Sequence, residues 1–320
     1  MSERISILNI EPQGYSESAR VELLRWGKVD ELELNRENLL EKIGAYEILI
    51  VRLAHQINRE VIEAAPRLKA IVSATTGLDH IDITYARNRG IEILSLQGEN
   101  DFLKTISASA EHTWALLLAL RRRIPSAFAS VKRGEWDRDI YKGNDLDGAR
   151  LGIVGLGRVG RKVATYGLAF NMSVYAFDPF VKDWDVNVDR MASLDHLMES
   201  SNVVSLHIPL NNDTNCMIGA KELDLMHNEA VLINTSRGKI IDEHALVSAL
   251  ESGRLAGAAL DVLSNERSIN QLGLSPLLTY AKSHQNLIIT PHVGGATSES
   301  MSKTELFMAQ KLGRYLMGNL

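Results

Sequence analysis

The stretch LGIVGLGRVG, residues 151–160, reads as an apolar strand that runs into a glycine turn and then into a helix. Gly155, Gly157 and Gly160 give the spacing G-x-G-x-x-G. The first glycine permits the tight turn, the second lets backbone approach a pyrophosphate, and the third lets helix pack closely on strand. A helix over RVGRKVATYGLAF would point its N-terminal amides at the phosphates, where its dipole favours negative charge. Glycines alone are a weak signal, because turns use them freely. Their context strengthens them. A second strand, SVYAFD, ends in Asp178, eighteen residues past Gly160 and close to the ~20 expected of the acid that binds an adenosine ribose. A carboxylate there repels a ribose phosphate, so NAD is favoured over NADP.

This fingerprint begins almost half-way along a chain of 320 residues, a length that suits two domains. Before it, apolar strand candidates recur at ISILNI (5–10), YEILIV (46–51), LKAIVSA (68–74) and IEILSL (91–96), with helical patterns such as NREVIEAAP and ITYARNRG between them. Strands alternating with helices predict a doubly wound parallel α/β sheet. A long helix is expected over SASAEHTWALLLALRRRIP (107–125), ended by Pro125, followed by a polar surface stretch, FASVKRGEWDRDIYKGNDLDGAR. Six strand candidates then form a second sheet: LGIVGLG (151–157), SVYAFD (173–178), NVVSLHI (202–208), AVLINTS (230–236), GAALDVL (257–263) and NLIITPH (286–292). The helical stretch SESMSKTELFMAQKLGRYLMGN follows once that sheet is complete, so it is expected to cross back onto the first domain.

Charge and composition narrow the function. The net charge is −5, which gives no basic footprint for nucleic acid, and the triplet Arg121, Arg122, Arg123 reads as the polar end of the long helix. No apolar run approaches the ~20 residues of a membrane helix, and MSERISILNI lacks the features of a signal peptide. The single cysteine, Cys216, can form no internal disulfide, which suits a reducing cytoplasm.

Ligands bind beyond the carboxyl ends of parallel strands. After the fourth strand of the second set comes INTSRGKIIDE with Arg237, after the fifth ALDVLSNE with Asp261 and Glu266, and after the sixth TPHVGGAT with His292. An Arg, a carboxylate and a His at one sheet edge suit hydride transfer at a 2-keto or 2-hydroxy acid. The Arg can bind the substrate carboxylate in a fork and polarise the carbonyl. The His can give or take the hydroxyl proton, with a carboxylate holding its orientation. Any one of these alone has a plainer reading: a strand-end Arg is usually a surface charge, and the chain has nine histidines.

With these motifs in view, the chain resembles the D-isomer-specific 2-hydroxyacid dehydrogenase family, whose members include D-3-phosphoglycerate dehydrogenases, glyoxylate/hydroxypyruvate reductases and D-lactate dehydrogenases. The resemblance covers almost the whole chain, through TTGLDHID, SAEHTWALLLAL, GRVGRKVA, HIPLNNDT, INTSRGKIIDE, GAALDV and PHVGGAT. It implies a Rossmann NAD-binding domain, residues 105–293, inserted into a flavodoxin-like substrate domain made of residues 1–104 and 294–320. Arg237 is then the carboxylate-binding arginine, Glu266 the carboxylate partner and His292 the acid/base. Asp261 resembles the acid that holds the nicotinamide carboxamide. The cofactor-binding set implied by the matching motifs also takes in Gly155, Gly157, Arg158, Val159, Gly160, Asp178, His207, Pro209, Thr214, Thr235, Ser236, Gly294 and Gly295. Substrate contacts are implied at Arg52, Leu53, Thr76, Gly77 and Asn100. No metal is expected, and the substrate is a small anionic 2-hydroxy or 2-keto acid, with D-3-phosphoglycerate ranked first and glyoxylate or hydroxypyruvate next. The family dimerises near the long helix, so a homodimer is expected, with that helix's spare leucines and Trp114 as a possible interface.

Three departures stand out. Arg267 follows Glu266 where the family usually has Pro, although Arg237 still lies twenty-nine residues before Glu266. The link QGENDFLKTISASAEHT is longer than usual, so Phe102, Leu103 and Lys104 either shape the substrate pocket or form a surface loop extension. Ser73 stands where some phosphoglycerate dehydrogenases place Arg, leaving Arg52, Lys104 or a basic residue of KRGEWDR to meet a phosphate. No regulatory domain is expected after the last helix. A formate- or phosphite-oxidising relative is a second enzyme reading. An NAD-sensing corepressor-like scaffold is a third reading, disfavoured by the lack of long disordered tails and of a basic patch.

Overall fold

The computed structural model describes residues 4–184, 187–266 and 275–318. The chain divides into two compact units, one running to Ile106 and resuming at Ala296, the other covering Ser107–Gly295. Both junctions fall two residues beyond the positions expected from sequence.

In the first unit β1 (Ile5–Asn9), β2 (Gly27–Glu31), β3 (Ile48–Val51), β4 (Ala70–Ser73) and β5 (Glu92–Ser95) form a parallel sheet in the order β2-β1-β3-β4-β5. That is the order of a flavodoxin-like doubly wound fold. The connections are α1 (Glu17–Trp26), α2 (Arg36–Lys42), α3 (Arg59–Glu63) and α4 (Ile83–Asn88). Every residue of β3 and β4 is buried, as expected of central strands covered on both faces by helices. Side chains set the helix starts: Ser16, Asn35, Asn58 and Asp82 each accept a first-turn amide. β2 escapes sequence detection because it is an edge strand, GKVDE, with no apolar run.

The stretch after β5 is not a plain loop. It forms α5 (Asn100–Leu103), with Leu103 and Ile106 buried and Phe102 stacked on Phe307 at 4.0 Å between ring centroids. Phe307 lies on the last helix, Ser298–Leu316, which buries Met308, Ala309 and Leu312 in the core of this first unit and packs on α1. Lys311 on that helix donates to the Ser95 carbonyl at 2.9 Å and to Glu99 at 2.5 Å.

The second unit opens with α6 (Ala108–Arg121) and α7 (Ile124–Lys132). Its sheet contains β6 (Arg150–Val154), β7 (Ser173–Phe177), β8 (Asp189–Arg190), β9 (Val203–Leu206), β10 (Val231–Asn234), β11 (Gly257–Leu260) and β12 (Leu287–Ile289). All pairings are parallel, in the order β12-β11-β10-β9-β6-β7-β8. The connecting helices are α8 (Arg158–Ala169), α9 (Leu194–Ser200), α10 (Ala220–Leu225), α11 (Glu243–Glu251) and α12 (Pro276–Ala281), so the last helix, Ser298–Leu316, is α13. The strand order reverses between β6 and β9, and the carboxyl ends of those two strands are where a doubly wound sheet takes its ligand. Sequence pattern predicts six of these seven strands. β8 is two exposed residues at the sheet edge and carries no apolar signal.

Two expectations for α6 and its sequel are corrected. Pro125 does not end the long helix: α6 stops at Arg121, Arg123 takes a left-handed φ of 51°, and Pro125 sits in the first turn of α7, where its missing N–H is no loss. Nor are Trp114 and most of the helix's leucines spare, with Leu118 alone only partly buried. Trp114, Leu116, Leu117 and Leu120 are all buried in the core of the second unit. The exposed apolar residues lie just after it, at Ile124, Phe128 and Val131, spaced along one face of α7, and at Trp136 and Ile140.

Candidate active site

The glycine turn follows β6. Gly155 takes φ 92°, and a Cβ there would stand 2.7 Å from the His207 carbonyl oxygen. At Gly160, in the first turn of α8, a Cβ would stand 2.1 Å from the Gly155 carbonyl oxygen. Backbone against backbone therefore demands both glycines. Gly157 is different: its φ is an ordinary −76°, and a Cβ would meet nothing within 4 Å. It is the N-cap of α8, and no side chain caps that helix. A diphosphate fits both facts, since it would fill the open space and face the positive end of the helix. Arg158 and Val159 complete the turn into α8, and burial pulls the Arg158 guanidinium below the usual arginine range.

Asp178, just past β7, closes the turn from the neighbouring strand. Its Oδ2 accepts the Leu156 amide at 2.8 Å, and its Oδ1 accepts those of Phe180 and Val181 at 2.9 and 3.1 Å. Three of a carboxylate's roughly four acceptor sites are then taken, which leaves one for a ribose hydroxyl. Beyond β9, Thr214 donates to the Pro209 carbonyl at 2.7 Å and accepts the Asn211 amide at 2.9 Å, folding that segment onto itself. His207 places Nε2 2.8 Å from Ser205 Oγ. Burial pushes its imidazole down to about 3, which favours the neutral ring.

On the other side of the switch point, the turn after β10 is shaped by Asn234, which is fully buried. Its amide donates to the Arg237 carbonyl at 2.9 Å and accepts the Ser236 amide and hydroxyl at 3.0 and 2.8 Å. Thr235 Oγ1 lies 2.8 Å from Thr113 Oγ1. Arg237 donates from Nη1 to the Ser236 carbonyl at 2.7 Å. Next to it, a Cβ on Gly238 would lie 2.1 Å from the Leu263 carbonyl carbon. The Arg237 turn thus presses directly on the segment that carries Glu266.

His292 follows β12, and its Nδ1 lies 2.6 Å from Glu266 Oε1. A ring nitrogen against a carboxylate carries the hydrogen, so Nε2 is the nitrogen left for exchange with a ligand. The other Glu266 oxygen accepts the Leu263 amide at 3.1 Å, and Glu243 on α11 steadies the same loop by accepting the Ser264 amide at 2.7 Å. Arg267 and the residues up to 274 lie outside the described residues, so the altered loop after Glu266 does too. Asp261, at the end of β11, gives its carboxylate to the His292 loop: it accepts Thr290 Oγ1 at 2.6 Å, the Val293 amide at 2.9 Å, the Gly294 amide at 2.7 Å and lies 3.2 Å from His112 Nε2. A Cβ on Gly294 would stand 2.8 Å from Asp261 Oδ2, whereas one on Gly295 would meet nothing within 4 Å. Among the described residues, no group of three or more His, Cys, Asp or Glu is set to hold a metal ion.

In the first unit the loops expected to take substrate end β3 and β4. Glu11, past β1, accepts the amides of Arg52, Leu53 and Ala54 at 2.8, 3.2 and 3.2 Å. The Arg52 guanidinium donates to the carbonyls of Glu11 and Gln13 at 2.9 and 2.8 Å and lies 3.4 Å from Glu305 Oε1. An anion at Arg52 has to compete with these partners. Glu305 is itself buried, which pushes its carboxyl up, against the pull of the Ser16 amide and Arg52. Thr75 Oγ1 bonds the Gly77 carbonyl at 2.9 Å and so shapes the turn that holds Thr76 and Gly77. Asn100 opens α5, and Lys104, exposed, pairs with Asp101 at 2.8 Å. Sequence reasoning gave no role to Glu11, His112, Asn234, Glu243 or Thr290: the last four lie inside the quoted motifs, but their partners are set by the fold and not by spacing along the chain.

Residues 114–294 match the family model described as the D-isomer specific 2-hydroxyacid dehydrogenase NAD-binding domain. The chain is 37% identical over 290 residues to the D-3-phosphoglycerate dehydrogenase of Methanocaldococcus jannaschii, covering 90% of this chain and 53% of that protein. It is 34% identical over 283 residues to the hydroxypyruvate reductase of Thermotoga maritima, covering 88% of this chain and 89% of the relative. A solved structure of D-lactate dehydrogenase from Aquifex aeolicus, complexed with NAD and lactic acid, matches with a TM-score of 0.85 at 28% identity, over 98% of this chain and 96% of that one. The chain spans about half the length of the phosphoglycerate dehydrogenases it matches first.

Proposed function

The chain belongs to the D-isomer-specific 2-hydroxyacid dehydrogenase family, and on that premise we propose that it reduces a small 2-keto acid to a D-2-hydroxy acid with NADH, and catalyses the reverse. The contact of 2.6 Å between His292 Nδ1 and Glu266 Oε1 carries this reading. It lies at the carboxyl edge of a sheet whose glycine turn fits a diphosphate. The bound dinucleotide supplies hydride to the keto carbon. His292 Nε2 gives the carbonyl oxygen its proton, and in the reverse direction takes it from the hydroxyl. Glu266 keeps the ring oriented and balances the imidazolium charge. Arg237 binds the substrate carboxylate in a fork and polarises the carbonyl. Asp178 accepts a ribose hydroxyl and disfavours a phosphate there.

We assign 3-phosphohydroxypyruvate as the first substrate to test, after the relatives of that name. A second reading, an unphosphorylated acid such as hydroxypyruvate or glyoxylate, is favoured by the Arg52 guanidinium, whose donors are engaged by Glu11, Gln13 and Glu305. The loss of NADH absorbance with purified protein and a panel of 2-keto acids decides between them. Turnover of the phosphorylated acid at higher kcat/KM supports the first reading, and turnover of hydroxypyruvate or glyoxylate alone supports the second. Bound NADH with no turnover of any member sinks both and favours a scaffold role.

A homodimer in a reducing cytoplasm completes the proposal. The exposed residues Ile124, Phe128 and Val131, with Trp136 at 90% exposure, form an apolar surface more extensive than solitary surface residues need. Wild-type protein at micromolar concentration is expected to show the mass of two chains. Phe128→Asp should raise the dimer dissociation constant about 100-fold, because a charge would be buried in the interface. A one-chain mass for the wild type excludes the dimer.

A further inference from the structure

His112, on α6, takes no part in the reaction derived above, yet it reaches the loop that holds the acid/base. Its Nε2 lies 3.0 Å from Thr290 Oγ1 and 3.2 Å from Asp261 Oδ1. The Thr290 hydroxyl already gives its hydrogen to that same Asp261 oxygen, at 2.6 Å. Toward His112 the hydroxyl can therefore only accept. With two acceptors in front of it, Nε2 carries the proton. Asp261 is only 1% exposed, and a carboxylate so deep needs such donors to remain there.

The same cluster fixes the backbone on both sides of His292. Thr290 stands two residues before it. Val293 and Gly294, directly after it, donate their amides to the two Asp261 oxygens. The His292 amide itself donates to the Asp261 carbonyl at 2.8 Å. That amide belongs to a residue with φ 55°, in the left-handed region. Such a conformation is strained for a residue with a side chain and persists only where its surroundings impose it. The Asp261 cluster imposes it here. His112 joins that cluster from another element, and α6 is held rigidly by the buried Trp114, Leu116 and Leu117.

We propose that His112 is a positioning residue for the reaction: as an N–H donor to Asp261 and Thr290, it holds the left-handed turn that aims the His292 imidazole. The proposal rests on His292 being the acid/base, and its test separates the two.

Two near-isosteric variants discriminate. The side-chain nitrogen of Gln stands where Nε2 of His stands, so His112→Gln keeps the donor, whereas His112→Asn is too short to reach. The first readout is the proton NMR signal of the His292 Nδ1–H bonded to Glu266, recorded on the folded protein without substrate and assigned by its loss in His292→Ala. The second is steady-state kinetics with NADH and the best keto acid. His112→Asn is expected to broaden or remove the signal and to lower kcat about tenfold to a hundredfold, as slight misplacement of a reacting group does. His112→Gln is expected to keep the signal and most of kcat. Should His112→Asn melt well below wild type, His112→Phe, which keeps a planar ring but has no N–H to donate to Thr290 or Asp261, is judged by the same two readouts. An unchanged signal with kcat within about twofold in the contact-breaking variant overturns the proposal, as does a His112→Gln protein that loses as much as His112→Asn. If the wild type turns over no keto acid while the signal responds as expected, the clamp stands and the reductase reading fails.

Discussion

His292→Ala is expected to lower NADH-linked turnover of the preferred keto acid by about 10²–10⁴-fold, the usual contribution of a positioned general acid. The substitution removes the proton donor and leaves the Glu266 carboxylate facing a small gap at moderate exposure, so the fold should survive. The glycine turn and Asp178 lie on other strands, and NADH binding, followed by its fluorescence, should stay within a few-fold of wild type. The loss should fall on kcat more than on KM, because the proton is delivered on the way to the transition state. If turnover falls less than tenfold, the proton comes from elsewhere and the Glu266–His292 pair is structural.

The second large effect separates two glycines three residues apart. Gly160→Ala forces a Cβ to within 2.1 Å of the Gly155 carbonyl oxygen. Neither partner is a flexible side chain, so the turn itself must move. A destabilisation of about 1–3 kcal/mol is expected, with a Tm lower by several degrees and NADH binding lost with the turn. Gly157→Ala meets no protein atom within 4 Å and keeps an ordinary backbone angle. Its stability should stay within about 0.5 kcal/mol of wild type, while the methyl group occupies the approach to the diphosphate and weakens NADH about 100-fold, close to 2.7 kcal/mol. Calorimetry and an NADH titration on both variants check this. Unaltered NADH affinity in Gly157→Ala would mean that the dinucleotide does not cross that turn.

What was legible in the chain follows from how each element is stabilised. β3, β4, β9, β10 and β11 are buried on every residue, so each leaves a short apolar run in the sequence. β2 and β8 are edge strands that lean on one neighbour, and polar residues serve them as well as apolar ones. Pro125 is ambiguous by nature, since proline both stops a helix and starts one. Within the site, the glycines, Asp178, Arg237, Glu266 and His292 sit at strand ends in ordered motifs and could be named in advance. Glu11, His112 and Thr290 could not. Each works by meeting a group far away in the chain, as His112 meets Asp261, and even a motif that contains the residue says nothing about that partner. Arg52 shows the converse. Its charge invited a phosphate, but the structure surrounds it with Glu11, Gln13 and Glu305.

The placement of α13 bears on how the molecule comes into being at the ribosome. The Ser16 amide bonds Glu305 across a separation of 289 residues, and Met308, Ala309 and Leu312 complete a core that begins at Ile7. The first sheet is thus synthesised first and finished last. The second sheet has all its strands between Arg150 and Ile289, and it is translated whole while the earlier one waits with an apolar face uncovered. Contacts of such long range are slow to form and leave partly built intermediates prone to association. Released chains truncated before residue 298 should therefore be protease-resistant in the unit that begins at Ser107 and engage chaperones through the stretch that precedes it.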